Sequence, residues 1–410
     1  MGYSRFLRQF MNRVIEMKTN RNIQSHCVCP GRLTVLLALV LCLLCAACPA
    51  AAAFEPVHTT VTEIDQFGDI LFDLEKLDLA FGDSVDISFS GGAELKAVPY
   101  YPGFFGPMGS DILTVLVYSD TVAVARVMGN SALALGVRPG ETATITLEQK
   151  GRYLEEYKAY DIADATYKAP GQTDEEYLNA REVTAGSIRP GRLYRGSSPF
   201  DPEFHRVELM GAYIAAHDIR GILDLADSPE ALASFRGLPA QTAAMLTGGR
   251  VISCSIGVDF LAPDTMRSIG GGLAALAEAE GPWLIHCSLG RDRTGFLCAM
   301  VEALCGASYD EIVRDFMLSY RELHAVDIDS DNLQYRLFKA KLDEPLSAIS
   351  GIAIEALPRA DMQRIAVDYL LRCGMTQAQL DRLADRLTRA DAGEAGGSLP
   401  ASDFEENKAA

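Results

Sequence analysis

A histidine and a cysteine lie side by side in the second half of the chain, and two arginines follow them closely. The stretch reads WLIHCSLGRDRTGF, from Trp283 to Phe296. It combines a thiol, an imidazole, a carboxyl group and two guanidinium groups. A thiolate is a strong nucleophile, and a guanidinium group binds two phosphate oxygens at once. These residue types at this spacing indicate nucleophilic chemistry on a phosphate group.

The elements around this stretch place the reactive groups together. Residues 283–287 are an apolar run typical of a buried strand, residues 288–293 form a tight loop, and a helix is predicted from about Arg293. Loop N–H groups curled around one point form an anion-binding nest, and the helix N-terminus adds partial positive charge. Arg293 can fold back onto the bound anion. Cys287 then lies at the base of a phosphate-binding loop.

A nucleophilic role requires Cys287 to react as the thiolate. A free thiol is only about 3% ionised at neutral pH. A helix N-terminus contributes up to about 2 kcal/mol toward the thiolate, so loop amides and arginine charge must supply the rest. The loop contains both, and we predict that Cys287 attacks the phosphorus whose oxygens the loop binds.

The rest of the chain predicts a folded protein of the α/β class in several segments. Of its 410 residues, 49% are hydrophobic and only 22% are charged, which excludes a disordered chain. Residues 54–150 alternate short β-like runs with turns and predict a small β-rich domain, followed by a polar linker at 151–175. Residues 176–390 alternate strands and helices, which predicts a central, largely parallel sheet flanked by helices. Residues 391–410 are rich in Gly, Ala and acids and predict a disordered tail.

The first 53 residues have the pattern of an export segment. Basic residues precede an uncharged run from Leu33 to Ala53 that ends in small residues, as in a signal peptide cleaved after Ala53. Lipidation at Cys48 and retention as a membrane anchor are the alternatives. Each places the remaining chain outside the cytoplasm, secreted or anchored, with membrane contact only through this segment.

The net charge restricts the partners. The chain carries −18, and removal of residues 1–53, whose own net charge is +5, leaves −23. This charge excludes nucleic acids and anionic membrane surfaces as partners and requires any anion site to be built locally.

Five cysteines follow the export segment, and only one has a reactive setting. An odd number at irregular spacing predicts neither a disulfide framework nor a zinc site. Cys298 and Cys305 lie in an apolar helical run and are predicted core residues, while Cys254 and Cys373 are predicted to be inert. Cys287 is the exception.

The sequence also resembles known families. HCSLGRDRTG is similar to the active-site signature of the protein tyrosine phosphatase superfamily, in particular to the bacterial tyrosine phosphatase branch with HCxxGxDRTG. GSIRPGRLYRGSSPF, IRGILDLADSPE and DFMLSYREL resemble further segments of that branch, so the likeness covers about 176–390. Separately, IDQFGDILFDL and VMGNSALALGVRPGETATITL resemble the small β-barrel domain of S-adenosylmethionine hydroxide adenosyltransferases, from which no site is carried over.

The phosphatase resemblance implies a role for each loop residue. Cys287 would form a phosphocysteine, Arg293 would hold the phosphate and transition state, His286 would orient the loop and favour the thiolate, and Thr294 would offer its hydroxyl to the thiolate. Backbone amides would bind phosphate oxygens at Ser288, Leu289, Gly290 and Arg291. No metal or organic cofactor is implied.

The proton donor and the substrate are left with alternatives. Asp292, inside the loop, is the preferred general acid, and Asp259, after the strand-like RVISCSI, is the second candidate. Arg291 occupies a position at which similar enzymes have a cation that binds a second phosphate of the substrate. The expected function is a cysteine-dependent phosphomonoesterase acting on a phosphorylated protein or small phosphomonoester. The alternatives are a phosphoinositide or inositol phosphate phosphatase of the same fold, and an inactive phosphate-binding module.

Overall fold

The computed structural model describes residues 54–389 apart from 66, 117–120, 161, 164, 203 and 204. The predicted export segment and the predicted tail lie outside the described residues. The chain divides into two compact units: a first unit of residues up to 164 together with 324–344, and a second unit of 165–323 together with the residues from 345 onward. Among the described residues, no helix is both long and apolar enough to cross a bilayer.

The first unit is built on a β-barrel. Its elements, in chain order, are β1 Val57–Ile64, β2 Ile70–Phe72, β3 Ser84–Phe89, β4 Glu94–Tyr101, β5 Asp111–Leu116, β6 Thr121–Arg126, α1 Ser131–Leu135, β7 Thr142–Gln149 and α2 Leu154–Tyr160. The seven strands close in the order β1-β2-β6-β5-β4-β3-β7. Neighbouring strands of the barrel pair antiparallel, except that β4 and β5 are parallel.

The alternation of residues along the strands explains the closure. In β3, Val85, Ile87 and Phe89 are buried in the barrel core, whereas Ser88 is exposed. A period of two places one apolar face inward, and closure leaves no strand edge unpaired. The β-rich region predicted at 54–150 is this barrel.

Two segments differ from the predicted boundaries. The predicted linker contains helix α2, because its tyrosines pack on aromatic residues of the same unit: Tyr160 stacks on Phe105 with ring centroids 4.9 Å apart. Residues 324–344, which the sequence assigned to the later domain, group with the first unit. There the Glu344 carboxylate accepts a hydrogen bond of 2.6 Å from the Met108 amide.

The remaining elements follow in chain order. They are α3 Asp174–Leu178, β8 Arg181–Glu182, β9 Leu193–Gly196, α4 Val207–Ala216, β10 Gly221–Asp224, α5 Pro229–Ser234, α6 Ala240–Thr247, β11 Val251–Ser253, α7 Pro263–Glu278, β12 Trp283–His286, α8 Asp292–Leu304, α9 Tyr309–His324, α10 Leu333–Ser350, a 3₁₀ helix at Ile354–Arg359, α11 Met362–Arg372 and α12 Gln377–Thr388. Thr376 and Gln379, three residues apart, form a capping box at the start of α12.

The second unit contains a five-stranded sheet in the order β11-β10-β12-β9-β8. Strands β11, β10, β12 and β9 are parallel, and only the edge strand β8 is antiparallel. The predicted α/β class is confirmed. In this register His286 pairs with Asp224 on one side and with Gly196 on the other. The loop that follows β12 therefore begins between the carboxyl ends of β9 and β10.

Helix α8, which follows that loop, is the central helix of the second unit. Every residue from Thr294 to Leu304 is buried. A helix that is apolar on all sides belongs in a core, and its packing fixes the position of its first turn. The sequence prediction of a helix beginning near Arg293 agrees with the observed start at Asp292.

Candidate active site

The loop between β12 and α8 presents backbone N–H groups without partners. Cys287 is only 4% exposed. Within the described part of the chain, the amides of Ser288, Leu289 and Gly290 have no hydrogen-bond acceptor. Buried or half-buried amides are nearly always paired, so three successive unpaired N–H groups beside a thiol form an anion-binding arrangement.

Two side chains behind the loop explain the direction of its amides. The Asn179 side-chain amide donates to the carbonyl oxygens of Leu289 at 2.9 Å and Gly290 at 2.8 Å. The Arg195 guanidinium donates to the carbonyl oxygens of Gly290 at 2.9 Å and Arg291 at 3.3 Å. In a trans peptide the carbonyl and the following N–H point in opposite directions. Fixing the carbonyls of Leu289, Gly290 and Arg291 therefore turns the N–H groups of Gly290, Arg291 and Asp292 to the other side of the loop.

The tight turn of the loop requires the glycine at position 290. Gly290 has a φ of +65°, in the left-handed region. A Cβ atom at this position would lie 2.2 Å from the Gly196 carbonyl oxygen, at the end of β9. No other residue fits here without moving one of the two backbones.

The buried charge of Arg195 is compensated by Asp315 on α9. Arg195 is fully buried and forms an ion pair with the Asp315 carboxylate. Arg181 binds the other carboxylate oxygen at 2.7 Å. Burial acts to raise the pKa of Asp315, but Arg181 and Arg195 outweigh it and hold that pKa below its ordinary value. Both arginines also donate to the Ser319 hydroxyl at 3.1 Å.

A second acid, Glu302 on α8, lies in the same buried cluster. Burial raises its pKa well above the ordinary value, and the neighbouring Asp315 raises it further. Burial therefore favours the protonated form of Glu302 beside the Asp315 carboxylate. The cluster carries two arginine charges and holds the outer side of the loop without an excess of buried negative charge.

Arg293 lies at the rim of the loop, held by neutral acceptors. Its guanidinium donates to the carbonyl oxygens of Leu225 at 3.2 Å and Ile256 at 3.3 Å, and to the Ser288 hydroxyl at 3.1 Å. Among the described residues, no carboxylate lies within ion-pair distance of it. The side chain is thus oriented by three weak contacts and keeps its charge available for an anion.

His286 lies under the loop, where its ring is fully buried. Its Nδ1 is 3.3 Å from the Cys287 carbonyl oxygen, and its Nε2 is 3.7 Å from the Asp224 carboxylate. Burial lowers the pKa of His286 to about 4, although Asp227 acts to raise it. The same burial raises the pKa of Asp224 to about 7 and that of Asp227 to about 6. His286 therefore orients the loop without adding a full positive charge to it.

The two loop residues predicted to handle protons have different settings. The Thr294 hydroxyl is fully buried and has no hydrogen-bond partner among the described residues, so it does not form the predicted hydrogen bond to the Cys287 sulfur in this structure. Asp292 accepts hydrogen bonds from Arg291, at 2.9 Å to Nη2, and from the Tyr320 hydroxyl at 2.7 Å. The Arg291 guanidinium also stacks on the Tyr320 ring, 5.0 Å from its centroid.

Asp259, the second acid candidate, lies in the exposed loop between β11 and α7. One of its carboxylate oxygens accepts a 3.0 Å hydrogen bond from the Leu261 amide. The same loop contributes the Ile256 carbonyl that Arg293 contacts. Asp259 therefore follows Ile256, which contacts Arg293, by three residues.

The other four cysteines of the described chain are buried and protonated. Burial raises the pKa of Cys254 and Cys305 to about 12 and that of Cys373 to about 11, and it also raises the pKa of Cys298. All five cysteines are free thiols. The predicted inert character of these four agrees with their burial.

Sequence reasoning missed most of the residues that hold the loop from behind. Asn179 adopts left-handed backbone geometry, with φ of 50°, at the end of α3, and nothing in its local sequence marks it. Asp315 and Ser319 lie within DFMLSYREL, a segment noted only for its resemblance. Arg195, in GSIRPGRLYRGSSPF, was likewise noted only through the resemblance of its segment, and the structure shows it in an ion pair with Asp315.

Comparison with known proteins places the site in a family. Residues 176–389, more than half of the chain, match the model of a family described as the tyrosine phosphatase family. The chain belongs to this family. The matched residues include the HCSLGRDRTG loop. No curated protein sequence matches the chain.

Several solved structures resemble parts of this chain at low sequence identity. An uncharacterised conserved protein from Thermotoga maritima is 19% identical over 30% of this chain and 42% of its own, with a TM-score of 0.20. A conserved hypothetical protein from Thermus thermophilus is 23% identical over 22% of this chain and 34% of its own, with a TM-score of 0.17. The chain thus spans less than half the length of either protein.

The core catalytic domain of the PP-IP phosphatase SIW14 from S. cerevisiae, solved with citrate, is also similar to part of this chain. It is 19% identical over 42% of this chain and 91% of its own, with a TM-score of 0.25. Likeness at this level does not bear on the substrate of this chain.

We predict that Asn179→Ala weakens phosphate binding by the loop. Loss of two hydrogen bonds frees the Leu289 and Gly290 carbonyls and disorders the amides, at a cost of about 1–3 kcal/mol, or roughly 5- to 150-fold. Inhibition of aryl phosphate hydrolysis by inorganic phosphate measures this. The matched control is Asn332→Ala, since the Asn332 side chain accepts a local bond from the Tyr335 amide in the first unit. Unchanged phosphate inhibition in a folded Asn179→Ala protein would show that the loop orients itself.

We also predict that Asp224→Asn changes how stability depends on pH. The pKa of Asp224 is raised on folding, so its favourable contribution is complete below pH about 4 and is lost as pH rises through about 7. Asparagine keeps the acceptor for the Ala226 amide but does not ionise. The variant should therefore gain stability over the wild type between pH 4 and 7, by up to about 4 kcal/mol. Urea denaturation at both pH values measures the gain, and a constant difference would contradict it.

Proposed function

We propose that this phosphatase hydrolyses phosphate monoesters through a phosphocysteine on Cys287. The observation that carries the proposal is the position of the Cys287 thiol at the base of a loop with unpaired amides, with Arg293 at the rim. The sulfur attacks phosphorus while the bond to the ester oxygen breaks and that oxygen takes a proton. Water then attacks phosphorus, releasing phosphate and restoring the thiolate.

The surrounding residues have complementary roles in this scheme. Arg293 binds two equatorial oxygens of the transferring phosphoryl group, exchanging its weak carbonyl contacts for charged ones. The unpartnered Thr294 hydroxyl is available to the thiolate as it leaves in the second step. His286 keeps the Cys287 carbonyl in place.

The proton donor is one of two aspartates, and their contacts separate them. Asp292 acts as an acceptor for Arg291 and Tyr320, which are partners of a carboxylate. Asp259 lies in the exposed loop that also contacts Arg293, and its carboxylate accepts a hydrogen bond from the Leu261 amide. We therefore favour Asp259 as the general acid and assign Asp292 to the orientation of Arg291, reversing the preference from sequence.

The setting of Arg291 bears on the substrate. Its guanidinium is engaged by Asp292 and stacked on Tyr320, so binding a second phosphate would require breaking both contacts. This favours a substrate with one phosphate, such as phosphotyrosine, over a phosphoinositide or inositol phosphate. An inactive phosphate-binding module is disfavoured because the thiol and Arg293 are both in place.

We further propose that the phosphatase acts outside the cytoplasm, on the basis of the pattern in residues 1–53. Mass determination of the mature N-terminus checks this, and a cytoplasmic chain that retains Met1 would contradict it.

The thiol mechanism predicts the effect of two serine substitutions. Cys287→Ser should lower kcat for an aryl phosphate at least ~10³-fold, since a hydroxyl is a far weaker nucleophile at neutral pH. Cys254→Ser, at another buried thiol, should retain most activity. Steady-state hydrolysis without added metal measures both. Activity that survives Cys287→Ser would overturn the mechanism while leaving the family membership intact.

The choice of acid predicts a dependence on the leaving group. Without its general acid, the enzyme should lose at least about tenfold more activity on phenyl phosphate than on p-nitrophenyl phosphate, because a poor leaving group needs the proton more. We expect this pattern for Asp259→Asn and a uniform loss on both substrates for Asp292→Asn. The reverse pattern would return the acid role to Asp292.

A further inference from the structure

Arginines converge at the edge of the sheet opposite Cys287. Arg192, Arg220 and Arg250 each directly precede a strand, namely β9, β10 and β11, and Trp283 is the first residue of β12. Because these four strands are parallel, the four positions lie at the same amino edge. The cysteine loop follows the carboxyl end of β12.

The last helix adds three more arginines to this edge. Arg382 and Arg386 are four residues apart and lie on one face of α12, and Arg389 is the extended residue that follows its last turn. With Arg192, Arg220 and Trp283 they line a cavity of about 590 Å³. A second cavity of about 570 Å³ shares Arg220 and Trp283 and adds Arg250. Each volume is in the range of small-molecule sites.

The charge of this surface is opposite to that of the chain. Six arginines line the two cavities, and Glu280 and Asp385 are the acidic residues among the lining side chains. The chain as a whole carries −18. A local excess of guanidinium groups in an acidic protein attracts anions to this edge.

Three of the six arginines bind backbone carbonyls. Arg192 donates to the Arg389 carbonyl at 3.2 Å, and Arg386 donates to the Glu278 carbonyl at 3.1 Å, so both satisfy groups at helix ends. Arg250 donates to the Arg220 carbonyl at 3.2 Å. Arg220, Arg250, Arg382 and Arg389 are nevertheless exposed, and binding of backbone carbonyls does not account for the whole cluster.

The carboxylates that pair with the exposed arginines are themselves in solvent. Asp218, Glu278 and Asp385 have side chains that are 72%, 54% and 61% exposed. Exposed ion pairs contribute only about 0–1 kcal/mol each. An incoming anion can replace these partners at little cost.

Trp283 gives the surface a buried polar group and a reporter. The residue is 5% exposed, and its indole N–H has no acceptor among the described residues. It lines both cavities and is the only tryptophan in the sequence. Its fluorescence therefore reports on this edge alone.

We propose that the amino edge of the sheet binds a small oligoanion carrying two or more phosphate or carboxylate groups. Its anionic groups bind Arg220, which lines both cavities, together with Arg250 in one cavity and Arg382 and Arg389 in the other. The site is separate from the cysteine loop, since a four-residue strand spans about 13 Å.

Titration of the full chain with inorganic tripolyphosphate, followed by Trp283 fluorescence, tests the proposal. Tricarballylate serves as the carboxylate probe, and KCl at equal ionic strength controls for screening. A saturable change with either probe and none with KCl is expected. The double variant Arg220→Gln/Arg382→Gln should weaken binding at least about tenfold while hydrolysing p-nitrophenyl phosphate normally. Arg236→Gln, an exposed arginine that donates to the Ala233 and Phe235 carbonyls, should change neither.

The Arg293→Ala variant separates this site from the cysteine loop. Binding seen through Trp283 should be unchanged in this variant, whose loop has lost its phosphate clamp. A fluorescence change that disappears with Arg293→Ala would assign the anion to the loop and overturn the proposal. Absence of a response to both probes, or a response that the double variant does not weaken, would overturn it as well.

Discussion

The active loop depends on one buried guanidinium group. Arg195 is fully buried, and it binds the outer carbonyls of the loop on one side and Asp315 on the other. A buried charge is tolerated only when it is paired and hydrogen-bonded, so Asp315, Ser319 and the loop carbonyls must all be in place together. The position of the amides that face a phosphate is therefore set by a charge network on the opposite side of the loop.

That network connects the site to the core of the second unit. Asp315 belongs to α9 and Glu302 to α8, whose first turn completes the loop. Helix α8 is buried along almost its whole length, and β12 is fully buried before the loop. Strand and helix fix the two ends of the loop, while Asn179 and Arg195 fix its middle. These contacts within the protein are sufficient to hold the loop in a geometry suited to phosphate, and no ligand contact is needed.

The sequence was sufficient for the parts of the site that are local. The strand ending at His286, the glycine at position 290 and the helix from Asp292 follow from neighbouring residues, as does the capping box at Thr376. The contacts of Asn179 and Arg195 with the loop join residues that are far apart in the chain, and no periodicity or propensity encodes such a pairing. For the same reason, the sequence predicted only a polar linker at residues 151–175. The stacking of Tyr160 on Phe105, which makes α2 part of the first unit, joins residues that are far apart in the chain.

The parallel sheet of the second unit gives its two edges different chemistry. Its carboxyl edge places Asp224, His286 and the cysteine loop together, and its amino edge collects arginines that precede the strands. Ligands of open α/β sheets are normally bound at the carboxyl edge, where loops and helix N-termini meet. The same topology that builds the phosphatase site gathers the opposite ends of the strands, and their charge, into a second surface.

The central claim is that phosphate passes through the sulfur of Cys287. Rapid acid quenching during turnover of an aryl phosphate, followed by proteolysis and mass spectrometry, measures it most directly. The account predicts a phosphoryl group on the peptide that contains Cys287, formed within one turnover and absent from the Cys287→Ser protein. A phosphoryl group on another residue, or turnover with no covalent intermediate under conditions where phosphocysteine is stable, would contradict it.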